Sequence, residues 1–87
     1  MQDKIIVYSS NNCGYCAKAK KLLDQKGLSY EEINIQVQPQ FREEMILKSN
    51  GKRTVPQIFI NDIHIGGFEE LNKIAIEGNL ENYLSDG

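Results

Sequence analysis

Cysteine occurs twice in this 87-residue chain, and both copies lie in one tetrapeptide, Cys13-Gly14-Tyr15-Cys16. Thiols three residues apart on a helix lie about one turn apart on a single face, close enough to join as a disulfide. Such a pair exchanges between dithiol and disulfide with little motion of the chain. A bridge closing so short a loop removes little unfolded-state entropy, roughly 2 kcal/mol, whereas a structural staple more usefully joins distant segments. The pair therefore points to redox chemistry ahead of two blander readings. One is a pair of inert buried thiols. The other is half of a zinc site, but zinc usually takes four ligands and the chain adds only a distant His64.

The flanking sequence positions the pair. Lys4-Ile5-Ile6-Val7-Tyr8 is a short β-rich run, and Ala17 to Lys26 is rich in Ala, Leu and Lys, which favour helix. The cysteines thus stand where a strand turns into a helix. Near the helix N-terminus Cys13 meets unpaired backbone N–H groups and the positive end of the helix dipole, both of which favour thiolate. This makes Cys13 the nucleophile. Cys16, a turn further in, is placed to attack a mixed disulfide on Cys13 and resolve it.

The remaining elements alternate without linker, repeat or low-complexity tract. Ile5, Ile6 and Val7 form the continuous apolar run expected of a central strand covered on both faces. Ala19, Leu22 and Leu23 share a stripe with Cys16, Lys18, Lys21 and Gln25 face water, and Gly27 suits the helix stop. Tyr30 to Ile35 reads as a second strand, so the strand–helix–strand unit implies a parallel crossover. Pro39 precedes a helix from about Gln40 to Asn50, closed by Gly51, with Phe41, Met45 and Ile46 as its core face. Gln57-Ile58-Phe59-Ile60 and Ile63-His64-Ile65, separated by Asn61-Asp62, read as an antiparallel hairpin. Gly66-Gly67 leads into a final helix carrying Leu71, Ile74 and Ala75, stopped near Gly78, with Leu80, Tyr83 and Leu84 packing a last turn. The order is βαβαββα, an α/β chain with a mixed four-stranded sheet.

Composition restricts the function classes. Hydrophobic content of 40%, charged content of 25% and a net charge of −2 describe an ordinary globular surface, without the basic footprint of a nucleic-acid binder. No apolar stretch approaches the ~20 residues of a membrane span. Met1-Gln2-Asp3-Lys4 lacks the layout of a signal peptide, so a reducing cytoplasm is expected. There a Cys-x-x-Cys pair is more often catalytic than structural. One domain over residues 1–87 is expected from the length.

Three segments together carry a family resemblance. Cys13-Gly14-Tyr15-Cys16, Thr54-Val55-Pro56-Gln57-Ile58-Phe59-Ile60 and Gly66-Gly67-Phe68-Glu69-Glu70 occur in the order and spacing of glutaredoxins, and the similarity spans nearly the whole chain. It is greatest to the small bacterial dithiol type. The resemblance implies a thioredoxin fold with sheet order 2-1-3-4, helices on both faces, and disulfide or glutathionyl exchange. Glutathione enters as co-substrate and reductant, with no tightly bound cofactor and no metal. Disulfide-containing or glutathionylated proteins are the implied partners of a monomer.

Site roles follow residue by residue. From the sequence alone the Val55–Pro56 bond is expected trans, since X-Pro bonds are cis in only about 5–6% of folded cases. The resemblance implies cis, beside the cysteines, with Val55 offering its backbone to glutathione as an added strand does. Thr54 and Pro56 complete that segment. The start of the last helix, around Gly67 and Phe68, directs N–H groups at the γ-glutamyl carboxylate, and Glu69 takes the ammonium. Arg42 is a candidate for the glycyl carboxylate, and Tyr15 flanks the bound thiol. Gly14 stands where the commonest dithiol motif has proline, Ser10 where many members have lysine, and Glu69 where aspartate is usual. The segment from Met45 to Thr54 is one residue longer than in the relatives it most resembles.

Other readings remain open at this level. Alternation in Ile63-His64-Ile65 makes His64 an exposed strand histidine. Lys18, Lys20, Lys21 and Lys26 form a solvated helix face that can steer anionic glutathione. The same dithiol chemistry can draw electrons from thioredoxin reductase, although the Gly66-Gly67-Phe68-Glu69 pocket favours glutathione. A motif without proline also admits a [2Fe–2S] carrier bridged by two subunits and two glutathiones.

Overall fold

A computed structural model describes residues 3–84 of the chain, and the N-terminal reading at Met1 and Gln2 lies outside them. Strand β1 (Ile5–Ser9) is buried along its whole length, which explains its uninterrupted apolar sequence. It lies inside a four-stranded sheet of order β2-β1-β3-β4, as expected of this fold. Strand β2 (Glu31–Asn34) pairs with β1 in parallel, with Tyr8 opposite Ile33. Strand β3 (Gln57–Ile60) runs antiparallel to β1, with Val7 opposite Ile58, and β4 (Ile63–Gly66) runs antiparallel to β3. Asn61 and Asp62 join β3 to β4, both at positive φ (50° and 69°). That is the type I′ geometry whose twist matches a two-residue hairpin.

Period-two alternation along β1 sends its side chains into two cores. Ile5 and Val7 join Ile58, Ile60 and Ile65 on one face of the sheet. They pack beneath Ala19 and Leu23 of helix α1 (Gly14–Gln25) and Leu71 of helix α3 (Phe68–Ile76). Ile6 and Tyr8 point the other way with Ile33 and Phe59, against Met45 and Ile46 of helix α2 (Arg42–Lys48). Burying one such side chain contributes about 1.5–3 kcal/mol. A last 3-10 turn, Leu80–Tyr83, brings Leu80 onto the first core. No described helix is long and apolar enough to cross a membrane.

Helix α1 begins at Gly14, directly after Cys13 as the sequence implies, and the Cys13 side chain caps it and compensates for the poor helix propensity of Gly14. Helix α2 is shorter than expected. Residues Pro39–Phe41 form a 3-10 turn, and the helix ends at Lys48 before Asn50 and Gly51 turn back at φ 61° and 96°.

A polar network locks the crossover. Ser9, fully buried, donates to Glu32 Oε2 at 2.6 Å, and Lys20 Nζ lies 2.9 Å from the same oxygen. The contact ties β1, β2 and α1 together behind the cysteine loop. The Ser9 hydrogen bond, then that from Lys20, holds the Glu32 carboxyl below its usual 4.5 against the opposing effect of burial. Since folding lowers this pKa, the stabilisation is complete above the unfolded value and is lost as pH falls through the folded one. Glu32→Gln should therefore melt below wild type at neutral pH, with the gap closing below about pH 4.5. Thermal melts of both proteins across that range check this, and a gap independent of pH would show that the charge contributes nothing.

Candidate redox site

Cys13 and Cys16 are joined by a disulfide, with Cα atoms 5.2 Å apart. Cys13 is the N-cap of α1, and its Sγ accepts a hydrogen bond from the Cys16 N–H at 3.1 Å. It is partly accessible, whereas Cys16 faces the core with 1% of its surface exposed. A reagent in solvent therefore meets the Cys13 sulfur first. An asparagine cluster fixes the loop that delivers it. Asn34 Nδ2 donates to Asn11 Oδ1 at 2.9 Å, and the Asn11 N–H donates to Gln36 Oε1 at 3.1 Å. Asn34 Oδ1 in turn accepts from the N–H groups of Gln36 and Val37. Sequence reasoning missed this clamp, whose only signal is the turn-forming tendency of asparagine.

Cys13 Sγ lies 3.9 Å from the Val55 carbonyl oxygen, across the chain from the loop that leads into β3. The Val55–Pro56 bond is cis, as the resemblance implied and the bare sequence did not. Beside it opens a cleft of about 280 Å³. Tyr15 of α1, Thr54 to Pro56 of the loop, and Gly67 to Glu70 at the start of α3 form its walls. The structure therefore brings together Tyr15, Thr54, Val55, Pro56, Gly67, Phe68 and Glu69. Arg42 stands apart, exposed at the first position of α2 and outside the cleft lining.

Glu70 is an addition to the set read from sequence. Its Oε1 accepts the Gly67 N–H at 2.7 Å, capping α3 from the third helical position. That contact occupies one of the N–H groups expected to face an anion. The first-turn N–H groups of Phe68 and Glu69, which have no intrahelical acceptor, keep that capacity. The Gly66 position favours glycine: it sits at φ 119°, and a Cβ there would lie 3.0 Å from Cγ and Oε1 of the capping Glu70 side chain.

The rim is aromatic and cationic. Tyr15 is 54% exposed, and its ring centroid lies 6.2 Å from that of Phe68. Lys18 Nζ stands over both rings, at 5.2 Å and 6.0 Å. Lys18 is thus part of the rim and not only of a solvated helix face. His64 also departs from expectation, being half-buried instead of exposed. Its ring stacks on Phe59 at 4.9 Å, and its Nε2 lies 2.7 Å from Gln57 Oε1. The register explains the change, because His64 pairs with Phe59 on the sheet face opposite Ile65. Burial, then Lys52, pushes its pKa below the usual 6.5 against the pull of Glu70. Among the described residues no group of three or more His, Cys, Asp or Glu side chains is arranged to hold a metal.

Comparison with known proteins gives a consistent result. A family model described as Glutaredoxin matches residues 5–65. Glutaredoxin 1 of Rickettsia conorii is 47% identical over 83 residues, covering 94% of this chain and 81% of that protein. Glutaredoxin 3 of Escherichia coli is 45% identical over 78 residues, covering 90% and 93%. Among solved structures, a dithiolic glutaredoxin of Trypanosoma brucei brucei superposes with a TM-score of 0.83 at 35% identity, covering 95% of this chain and 88% of that one. A buckwheat glutaredoxin–glutathione complex gives 0.82 at 34% identity, covering 94% and 76%.

The asymmetry between the cysteines is directly testable. In the reduced protein, iodoacetamide should alkylate Cys13 with a midpoint below the free-cysteine value of about 8.5, while Cys16 reacts little until the protein is unfolded. Mass spectrometry of the labelled peptides across pH reads both. A Cys13 midpoint at 8.5 or above would remove the activated thiolate from the account.

Proposed function

The chain belongs to the glutaredoxin family of thiol–disulfide oxidoreductases with a thioredoxin fold, and from that premise we propose that it is a glutathione-dependent enzyme acting on protein disulfides and glutathionyl mixed disulfides. The observation that carries this reading is the position of the Cys13 sulfur, capping α1 while lying against the Val55 carbonyl at the edge of the cleft. Cys13 as thiolate attacks one sulfur of a substrate disulfide, forms a mixed disulfide and releases the other sulfur as thiolate. Cys16, once deprotonated, attacks the Cys13 sulfur and frees the reduced target. One glutathione thiolate then attacks Cys13 in the Cys13–Cys16 bridge, leaving Cys16 reduced. A second attacks the glutathionyl sulfur, yielding glutathione disulfide and the Cys13 thiolate. Two electrons pass from two glutathiones to one disulfide. A separate NADPH-dependent reductase restores the glutathione.

The cleft supplies chemistry for a γ-glutamyl tripeptide. Val55 presents its backbone to the peptide, and Tyr15 flanks the thiol. The Phe68 and Glu69 N–H groups meet the γ-glutamyl carboxylate, while the Glu69 carboxylate takes the ammonium. Arg42 contributes at most a distant positive charge toward the glycyl carboxylate. We assign the protein to the reducing cytoplasm, where the glutathione pool can drive the cycle, as a monomer of one domain over residues 1–87. No tightly bound cofactor enters this cycle. Its partners are glutathione and disulfide-bearing or glutathionylated proteins, without nucleic acid or membrane.

The division of labour predicts that Cys13→Ser abolishes glutathione-coupled activity on every substrate. Cys16→Ser should keep deglutathionylation, which needs one thiol and external glutathione, and lose efficient reduction of protein disulfides. Equal inactivity of both variants on a glutathionylated peptide would overturn the assignment of the nucleophile.

For the pocket, Glu69→Gln should lower glutathione kcat/KM roughly 5- to 30-fold, the loss of one charge-assisted contact worth on the order of 1–2 kcal/mol. Reduction of the same disulfide by dithiothreitol, which has no ammonium, should be unchanged. Glutathione kinetics matching wild type would take Glu69 out of the site.

A further inference from the structure

One buried polar side chain beside the cleft is not used by the chemistry above. Gln57 is only 3% exposed, and both ends of its amide are engaged. Its Nε2 donates to the Thr54 carbonyl at 3.0 Å and lies 3.3 Å from Thr54 Oγ1. Its Oε1 faces His64 Nε2 at 2.7 Å. The Thr54 carbonyl can only accept, so the amide nitrogen must face it and the amide oxygen must face His64. His64 therefore donates from Nε2, whichever charge it carries. Its ring is held by stacking on Phe59.

These contacts form a bridge from β4 through Gln57 to the backbone of Thr54, one residue before Val55. We propose that Gln57, oriented by His64, is a positioning residue that holds Thr54 and Val55 in the register where they meet a peptide ligand. It touches neither cysteine in any described contact, so it sets affinity for the ligand and not thiol reactivity. A carbonyl without its donor would be free to rotate, carrying the Val55 strand-like edge out of line with the cleft. Because the Nε2–H donor persists when His64 is protonated, the bridge does not open as pH falls. Lys52 and Glu70, the charged groups acting on His64, leave this unaltered.

This inference rests on the glutathione reading, and the experiment separates the two. Gln57→Glu keeps an acceptor for His64 but has no donor for Thr54 once ionised. Gln57→Leu removes both ends and serves as the second variant. Glutathione KM should rise about tenfold in each, with kcat within about twofold of wild type, the pattern of lost uniform binding. Dithiothreitol reduction and Cys13 alkylation should match wild type, which a general loosening of the site would not allow. An unchanged glutathione KM in folded Gln57→Glu, or a fall in dithiothreitol rate parallel to the glutathione effect, would overturn the positioning role. Wild type reduced by dithiothreitol but not by glutathione would instead overturn the functional reading.

Discussion

The hydrogen bond from the Cys16 N–H to the Cys13 sulfur joins folding and chemistry in one contact. A helix start leaves donors without backbone acceptors, and most helices satisfy one with a serine, threonine, aspartate or asparagine oxygen. Here a sulfur takes that place. The same donor that starts α1 also favours negative charge on the Cys13 sulfur, so one contact serves both the cap and thiolate formation. Everything else in the site is arranged around where this helix begins.

That position depends on β1. A strand buried on both faces needs helices on each side, and α1 must leave the end of β1 in a direction that packs Ala19 and Leu23 on Ile5 and Val7. The Ser9–Glu32–Lys20 network and the Asn11–Asn34 contact then hold the turn between them. On the other side of the cleft, Gly67 lies beside the Pro56 carbonyl, and Glu70 caps α3 at that point. Two helix starts and one extended loop converge. Each is fixed by polar contacts of its own.

How much of this was legible in the sequence follows from the range of each interaction. The strands, the Asn61-Asp62 hairpin and the cysteine pair are local patterns, and they appear where the residues placed them. The sheet order and the cis Val55–Pro56 bond came from three motifs read together, since no local rule selects either. His64 was misplaced because alternation along Ile63-His64-Ile65 says which face it takes but not what covers that face. Phe59, its stacking partner, is supplied by the neighbouring strand. Glu70 and the asparagine clamp were missed for a related reason: both types are ordinary at a helix start or in a loop, and only three-dimensional contacts distinguish them. Arg42 lies outside the cleft because the short α2 presents it to solvent.

The cap also bears on the direction of electron flow. A disulfide sulfur accepts the Cys16 N–H as a neutral group, whereas a thiolate accepts it with charge assistance and more strongly. The dipole of α1 acts in the same sense. Both therefore stabilise the reduced form with an ionised Cys13 relative to the bridged form, which makes the pair a better oxidant. Each 1.4 kcal/mol of such preference raises a two-electron potential by about 30 mV. Ser10 carries no charge and contributes no further attraction, and Lys18 is occupied over the rings of Tyr15 and Phe68. The tuning of this pair accordingly rests on backbone donors and the helix dipole more than on side-chain charge. Backbone donors are fixed by the fold and little affected by salt, whereas an exposed lysine would be screened within about a nanometre.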